Sequence, residues 1–137
     1  MELADTSAWT NRHKDTAVSA DFESRLVAGQ IATCAIVKME LLWEARDGAG
    51  FRDRRIRLEA LEEVPIDAAV WKRALDVFEL LASHAPLHHR QVKLPDLLVA
   101  AAAELDGIAV CHYDRDFDVI AEVTGQPVRA IAPLGSL

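Results

Sequence analysis

Four carboxylates draw attention by where they fall. Asp5 follows the apolar pair Leu3-Ala4. Glu40 sits inside the run IVKMELLWEA, flanked by Met39 and by Leu41-Leu42-Trp43. Asp96 comes directly after Pro95 at the head of the alanine-rich run LPDLLVAAAAELDG, and Asp114 lies just past the apolar run IAVC, with Asp116 and Asp118 following at steps of two. A buried carboxylate without a partner is costly. Several that converge repel one another and raise each other's pKa values. A divalent cation removes that conflict, and an all-oxygen donor set suits Mg²⁺ or Mn²⁺ rather than zinc. Each residue also has a plainer role. Asp5 and Asp96 suit helix starts, where the dipole favours a negative charge. Glu40 can pair with Lys38 or Arg46, Asp114 can close a turn, Asp116 can cap a helix, and Asp118 reads as solvated surface.

Whether these groups meet depends on the elements that carry them. Leu3-Ala4 reads as a short strand that leads into the cap-type residues Asp5-Thr6-Ser7. From Ala17 to Ala28, Val18, Phe22 and Leu26 recur every fourth residue and Gly29 stops the run, which predicts an amphipathic helix. Ile31 to Cys34 reads as a buried strand, and Ile36 to Arg46 as a helix apolar around much of its circumference. Phe51, Leu58 and Leu61 mark a helix with an arginine-rich face. Asp67 caps a further helix carried by Val70, Ala74, Val77 and Leu81. His84 to Val92 reads as a polar loop. Pro95 suits a first helical position, and that helix runs to Gly107. Ile108 to Cys111 is a strand, Phe117, Ile120 and Ala121 mark a helix ending near Gly125, and Val128 to Ile131 is a last strand. Strands alternate with helices, and short continuous apolar strands suit a parallel sheet covered on both faces. Right-handed crossovers then place every strand-to-helix junction on one edge of the sheet. Asp5 and Asp114 fall at such junctions.

The 137 residues fit a single domain spanning 1–137, with 51% hydrophobic residues. No apolar run reaches the roughly 20 residues of a membrane span. No secretory signal precedes the first strand, so a cytoplasmic location is expected. Cys34 and Cys111 each lie in an apolar run and read as buried free thiols. The formal net charge of −7 argues against passive coating of nucleic acid and favours a basic partner.

The segments LADTSAW, IVKMELLWEA, KLPDLLVAAAAE and CHYDRDFDVIA resemble the four acidic motifs of the PIN-domain ribonucleases, in particular the VapC toxins of bacterial type II toxin–antitoxin pairs. The resemblance covers nearly the whole chain, in order and spacing. It implies a three-layer α/β/α fold with a parallel sheet of four to five strands flanked by helices. It aligns Asp5, Glu40, Asp96 and Asp114 with the acidic quartet and Asp116 with the additional aspartate before the phenylalanine. The chain departs from the pattern at His112, where the family often has Ser or Thr.

The resemblance also implies Mg²⁺-dependent cleavage of RNA. Asp5, Asp96 and Asp114, with Asp116, are then the metal ligands, and Glu40 an outer ligand or an orienter of the attacking water. Such an ion polarises a phosphoryl oxygen and acidifies bound water. Thr6 and Ser7 can bond a ligand carboxylate or a phosphate. An acidic protein still needs local positive charge to hold RNA, and Arg12, Lys93 and Arg115 are candidates beside the expected crevice. His88 and His89 read as loop surface, because adjacent histidines lack zinc-site spacing. A cognate VapB-type antitoxin and a homodimer are implied by the family. Trp43, Phe51 and Trp71 offer apolar surface for such contacts or pack in the core.

Two other classes compete. A phosphoacceptor or phosphatase-like Mg²⁺ module also uses an aspartate at a strand end. However, Ser7 stands where a haloacid-dehalogenase site wants a second aspartate, and Arg129 is the only cation near the place of a receiver's lysine. A catalytically silent interaction module would keep the fold without binding metal.

Overall fold

The computed structural model describes residues 1–137. Five strands are joined by seven α-helices. They are β1 (Glu2–Ala4), α1 (Thr6–Asn11), α2 (Thr16–Val27), β2 (Ile31–Thr33), α3 (Ala35–Trp43), α4 (Gly48–Glu59), β3 (Glu62–Glu63), α5 (Ala68–His84), α6 (Leu94–Asp106), β4 (Ala109–His112), α7 (Arg115–Thr124) and β5 (Val128–Ala130). Two 3₁₀ turns, Arg12–Lys14 and His88–Gln91, precede α2 and α6. The strand order is β3-β2-β1-β4-β5, and every pairing is parallel. With helices flanking this sheet, the architecture is the expected three-layer α/β fold.

The core explains the parallel sheet. Leu3, Ala4, Ile31, Ala32, Val110 and Cys111 are all buried, so β1, β2 and β4 present apolar side chains to both faces. On α6, the run from Leu97 to Ala103 is buried throughout. Its alanines let the helix backbone approach β1 and β4 closely. No helix is long and apolar enough to cross a membrane.

The expected strands and the larger helices are present, with some boundaries moved. Cys34 is the N-cap of α3 rather than a strand residue, and α3 ends at Trp43, short of Arg46. The segment read as a polar loop from His84 is partly ordered: His84 closes α5 and His88–Gln91 turns as a 3₁₀ helix. Two elements are additional. Helix α1 starts at once after Asp5, and β3 is a two-residue edge strand of exposed glutamates. The aromatic residues with two possible roles lie outside the core: Trp43 is 88%, Trp71 58% and Phe51 39% exposed.

The site is fixed by the strand order. From β1 the chain winds outward through β2 to β3, then returns to place β4 on the opposite side of β1. The winding therefore reverses between β1 and β4, and their carboxyl ends open a crevice. The register pairs Ala4 with Cys111, and the Asp5 N–H donates to the Cys111 carbonyl at 2.9 Å.

Candidate metal centre

Asp5 leaves β1 in an extended conformation and caps α1. Its Oδ2 accepts from the Ser7 N–H at 2.9 Å and the Ser7 Oγ at 2.6 Å. Ser7 Oγ in turn accepts from the Tyr113 N–H at 2.9 Å. One hydroxyl thus ties the end of β1 to the segment after β4. The other oxygen of Asp5, Oδ1, is buried without a hydrogen-bond partner. Burial raises the Asp5 pKa, the Ser7 hydrogen bonds oppose that rise, and the charge of Asp114 adds to it.

Asp96 enters from α6, where Leu94-Pro95 opens the first turn. It is only 4% exposed, and its Oδ2 also lacks a hydrogen-bond partner. Burial, a carboxyl–carboxyl hydrogen bond to Asp116 and the charges of Asp5 and Asp114 push its pKa up to about 8. Asp116 moves the other way. Burial alone would raise it, but hydrogen bonds from the Asp96 carboxyl and from Lys93 outweigh burial and hold it below the usual carboxylate range. Asp96 therefore carries the proton that the pair shares.

Asp114 caps α7, its Oδ1 accepting from the Asp116 N–H at 2.9 Å. The cap is therefore Asp114 itself; the expectation of Asp116 as the cap is not met. Donor oxygens of Asp96, Asp114 and Asp116 all lie within 4.8 Å of one another. Asp5 stands beside this trio, coupled to Asp96 and Asp114 through charge.

Glu40 differs from the expectation of a buried carboxylate. It is exposed, because α3 turns Val37, Leu41 and Leu42 inward and leaves Glu40 at the rim. Its Oε1 accepts from the Thr6 Oγ1 at 3.1 Å. Its pKa is raised by partial burial and by the Asp5 charge, so it still feels the crevice.

Sequence reasoning missed what Lys93 does. Its Nζ lies 2.8 Å from Asp114 Oδ2, 2.9 Å from Asp116 Oδ2 and 3.4 Å from Asp96 Oδ2. Its backbone N–H donates to Asp116 Oδ2 at 2.8 Å. The ammonium is thus the cluster's own counter-charge. The signal was available: Lys93 stands three residues before Asp96, the distance that faces two side chains across one helical turn. Burial lowers its pKa, but the hydrogen bonds to Asp114 and Asp116 outweigh that and raise it.

Arg12 does not line the cluster. Its guanidinium lies over the Trp9 ring at 4.9 Å and the Phe22 ring at 5.1 Å, and it donates to the Trp9 carbonyl. Arg115 is exposed at the start of α7. His112 is fully buried behind Asp114. Its Nδ1 accepts from the Asp114 N–H at 3.1 Å, which leaves the ring proton on Nε2, 3.5 Å from Asp118 Oδ1. Burial lowers its pKa. Asp118 is exposed, as read from the sequence, yet it faces this imidazole.

The donors fit a hard divalent cation. They are all carboxylate oxygens; Asp5 Oδ1 is a buried acceptor with no donor, and Asp96 Oδ2 makes no hydrogen bond and has only the Lys93 ammonium 3.4 Å away. Fold and crevice together define an α/β protein with a carboxylate-lined switch point whose donors could hold such an ion. The chain belongs to the PIN domain family, which it matches over residues 3–123. It is 41% identical to Ribonuclease VapC18 of Mycobacterium tuberculosis over 133 residues, covering 97% of this chain and 96% of that protein. It is 38% identical to Ribonuclease VapC51 of the same organism, covering 98% of this chain and 96% of that one. Among solved structures, a toxin–antitoxin complex from Klebsiella pneumoniae superimposes with a TM-score of 0.68 at 19% identity, covering 98% of this chain and all of that one. DNA-bound VapBC from Salmonella typhimurium gives 0.67 at 18% identity, covering 96% of this chain and 100% of that one.

Proposed function

We propose that the chain is a Mg²⁺-dependent endoribonuclease that acts, as one domain over residues 1–137, as the toxin of a type II toxin–antitoxin pair. The observation that carries this reading is the convergence of Asp96, Asp114 and Asp116 at the β1/β4 crevice beside Asp5, with buried oxygens of Asp5 and Asp96 that make no hydrogen bond. The identity to proteins named ribonucleases supports it. Mn²⁺ is expected to substitute for Mg²⁺.

Asp5, Asp96, Asp114 and Asp116 would hold the ion, which supplies charge stabilisation at phosphorus and an acidified water when bound. The protein's own groups do the rest. Ser7 fixes Asp5 Oδ2 so that Oδ1 remains free. Glu40, held by Thr6, is the carboxylate at the rim placed to accept a proton from an attacking water. Lys93 and the exposed Arg115 supply positive charge where the phosphate backbone would enter.

A cognate VapB-type antitoxin and a second copy of the chain are the partners that this reading requires, in the cytoplasm. The exposed Trp43 and Trp71 are apolar surface available to them.

The test is direct. Wild type, Asp5→Asn and Asp96→Asn are incubated with RNA and Mg²⁺, and new RNA ends are mapped. Cleavage by wild type that requires the metal and is lost in both variants supports the reading. Full activity in either variant overturns it.

A further inference from the structure

We propose a second cation site, separate from the carboxylate crevice, formed by His84, His88 and Glu122 and suited to Zn²⁺ or a similar transition-metal ion. His84 is the last residue of α5. The chain then passes through Leu87, the one non-glycine residue in the left-handed region, at φ 59°. That turn folds the backbone back, so that the His84 and His88 rings lie 5.2 Å apart, tilted by 45°. Glu122 comes from α7. Donor atoms of all three residues lie within 4.8 Å of one another.

His88 is the informative member. Its Nε2 is buried and has no hydrogen-bond partner. The nearest acceptor, Glu122 Oε2, stands 3.8 Å away, beyond hydrogen-bonding distance. A buried imidazole nitrogen in need of a partner thus points at a carboxylate, with a second imidazole alongside. Two histidines and one carboxylate are the donors of open zinc sites, whereas Mg²⁺ and Ca²⁺ prefer oxygen alone. Zinc bonds of about 2.0–2.1 Å require donors about 3.3 Å apart in a tetrahedron, so the set must contract. It can, because His84 and Glu122 are exposed and free to change rotamer, while the His88 side chain is only 13% exposed. The pair that matters is therefore His84 with His88, four residues apart, not the adjacent His88 and His89.

The position gives the site a consequence. His88 opens the 3₁₀ turn that leads through buried Val92 into Lys93 and Asp96. That segment is already fastened to α7 by the Lys93 N–H on Asp116. An ion between His88 and Glu122 would fasten it to α7 at a second point, six residues and about 9 Å further along the helix. The two donor sets share no residue.

The test is calorimetric titration of Zn²⁺ into the untagged full-length chain with millimolar Mg²⁺ present, repeated for His84→Ala, Glu122→Gln and Asp96→Asn. Cobalt absorption serves as a second readout. We expect one equivalent bound by wild type, an affinity at least tenfold weaker in His84→Ala and Glu122→Gln, and no change in Asp96→Asn. Both weakening substitutions are at exposed side chains, so folding is not at stake. No zinc binding by wild type overturns the proposal. So does an affinity unchanged in His84→Ala and Glu122→Gln, or one lost in Asp96→Asn, which would place the ion in the carboxylate crevice.

Discussion

Replacing Asp96 by Asn should make the metal-free protein more stable, and more so as pH rises. The Asp96 carboxyl has its pKa raised from 3.8 to about 8 by burial, the hydrogen bond to Asp116 and neighbouring charges. Between those values the native state keeps a proton that the unfolded chain has released. Native protein then binds more protons, so stability falls as pH rises from about 4 to about 8 and levels off above. A shift of about 3 units at pH 7 corresponds to roughly 4 kcal/mol. The depression of Asp116 is common to wild type and variant, because the asparagine amide can donate to it as well, so roughly 4 kcal/mol is the upper bound on their difference. Asparagine removes the charge, and its amide N–H can donate to Asp116 as the protonated Asp96 does. Thermal unfolding in EDTA from pH 4 to pH 9 should show Asp96→Asn and wild type together near pH 4. They should separate by up to about 12–16 °C near pH 7, with the variant higher. Saturating Mg²⁺ should stabilise wild type alone, by about 2.7 kcal/mol at a hundred times its Kd. A variant no more stable than wild type at pH 8 in EDTA, or a difference that ignores pH, would refute the reasoning.

Other substitutions probe neighbouring parts of the crevice. Lys93→Met removes the internal counter-charge, so Mn²⁺ should bind at least tenfold tighter by calorimetry, while stability without metal falls. Ser7→Ala deprives Asp5 Oδ2 of a donor and the Tyr113 N–H of its acceptor, which should cost about 1–3 kcal/mol in chemical denaturation and lower cleavage at least tenfold. Trp43→Ser, at a residue 88% exposed, should leave the melting temperature within the range of about 0.5 kcal/mol, yet weaken association seen by size-exclusion chromatography.

Where the sequence spoke clearly, strong periodicity or a continuous apolar run stood behind it. Helix α5 carries Val70, Ala74, Val77 and Leu81 on one buried stripe, and β4 has no polar residue before His112. Helix α1 was not legible, because Thr6, Ser7, Thr10 and Asn11 are poor helix formers and only the Asp5 cap announces it. Strand β3 was invisible for another reason: Glu62-Glu63 has no strand pattern and is extended only because it pairs with β2. The positions of Asp5, Asp96 and Asp114 followed from strand ends and a helix start. Their surroundings did not follow. The exposure of Glu40 depends on which face α3 turns inward, and α3 is apolar nearly all round, so the pattern could not decide. The contacts of Lys93 with Asp114 and Asp116 span more than twenty residues and exist only after α6 and α7 have packed.

The pairing of β1 with β4 also has a meaning during synthesis. Asp5 leaves the ribosome more than a hundred residues before the strand that lies beside it ends at His112 and before the fourth carboxylate, Asp114. At about 5–20 residues per second, roughly 5–20 s separate the two on the ribosome. Throughout that interval β1 has no β4 to lie against, Ser7 has no Tyr113 to hold, and the carboxylates remain apart. The crevice is thus among the last features to close, and a nascent or truncated chain that stops short of β4 carries most of the fold's mass without an assembled site.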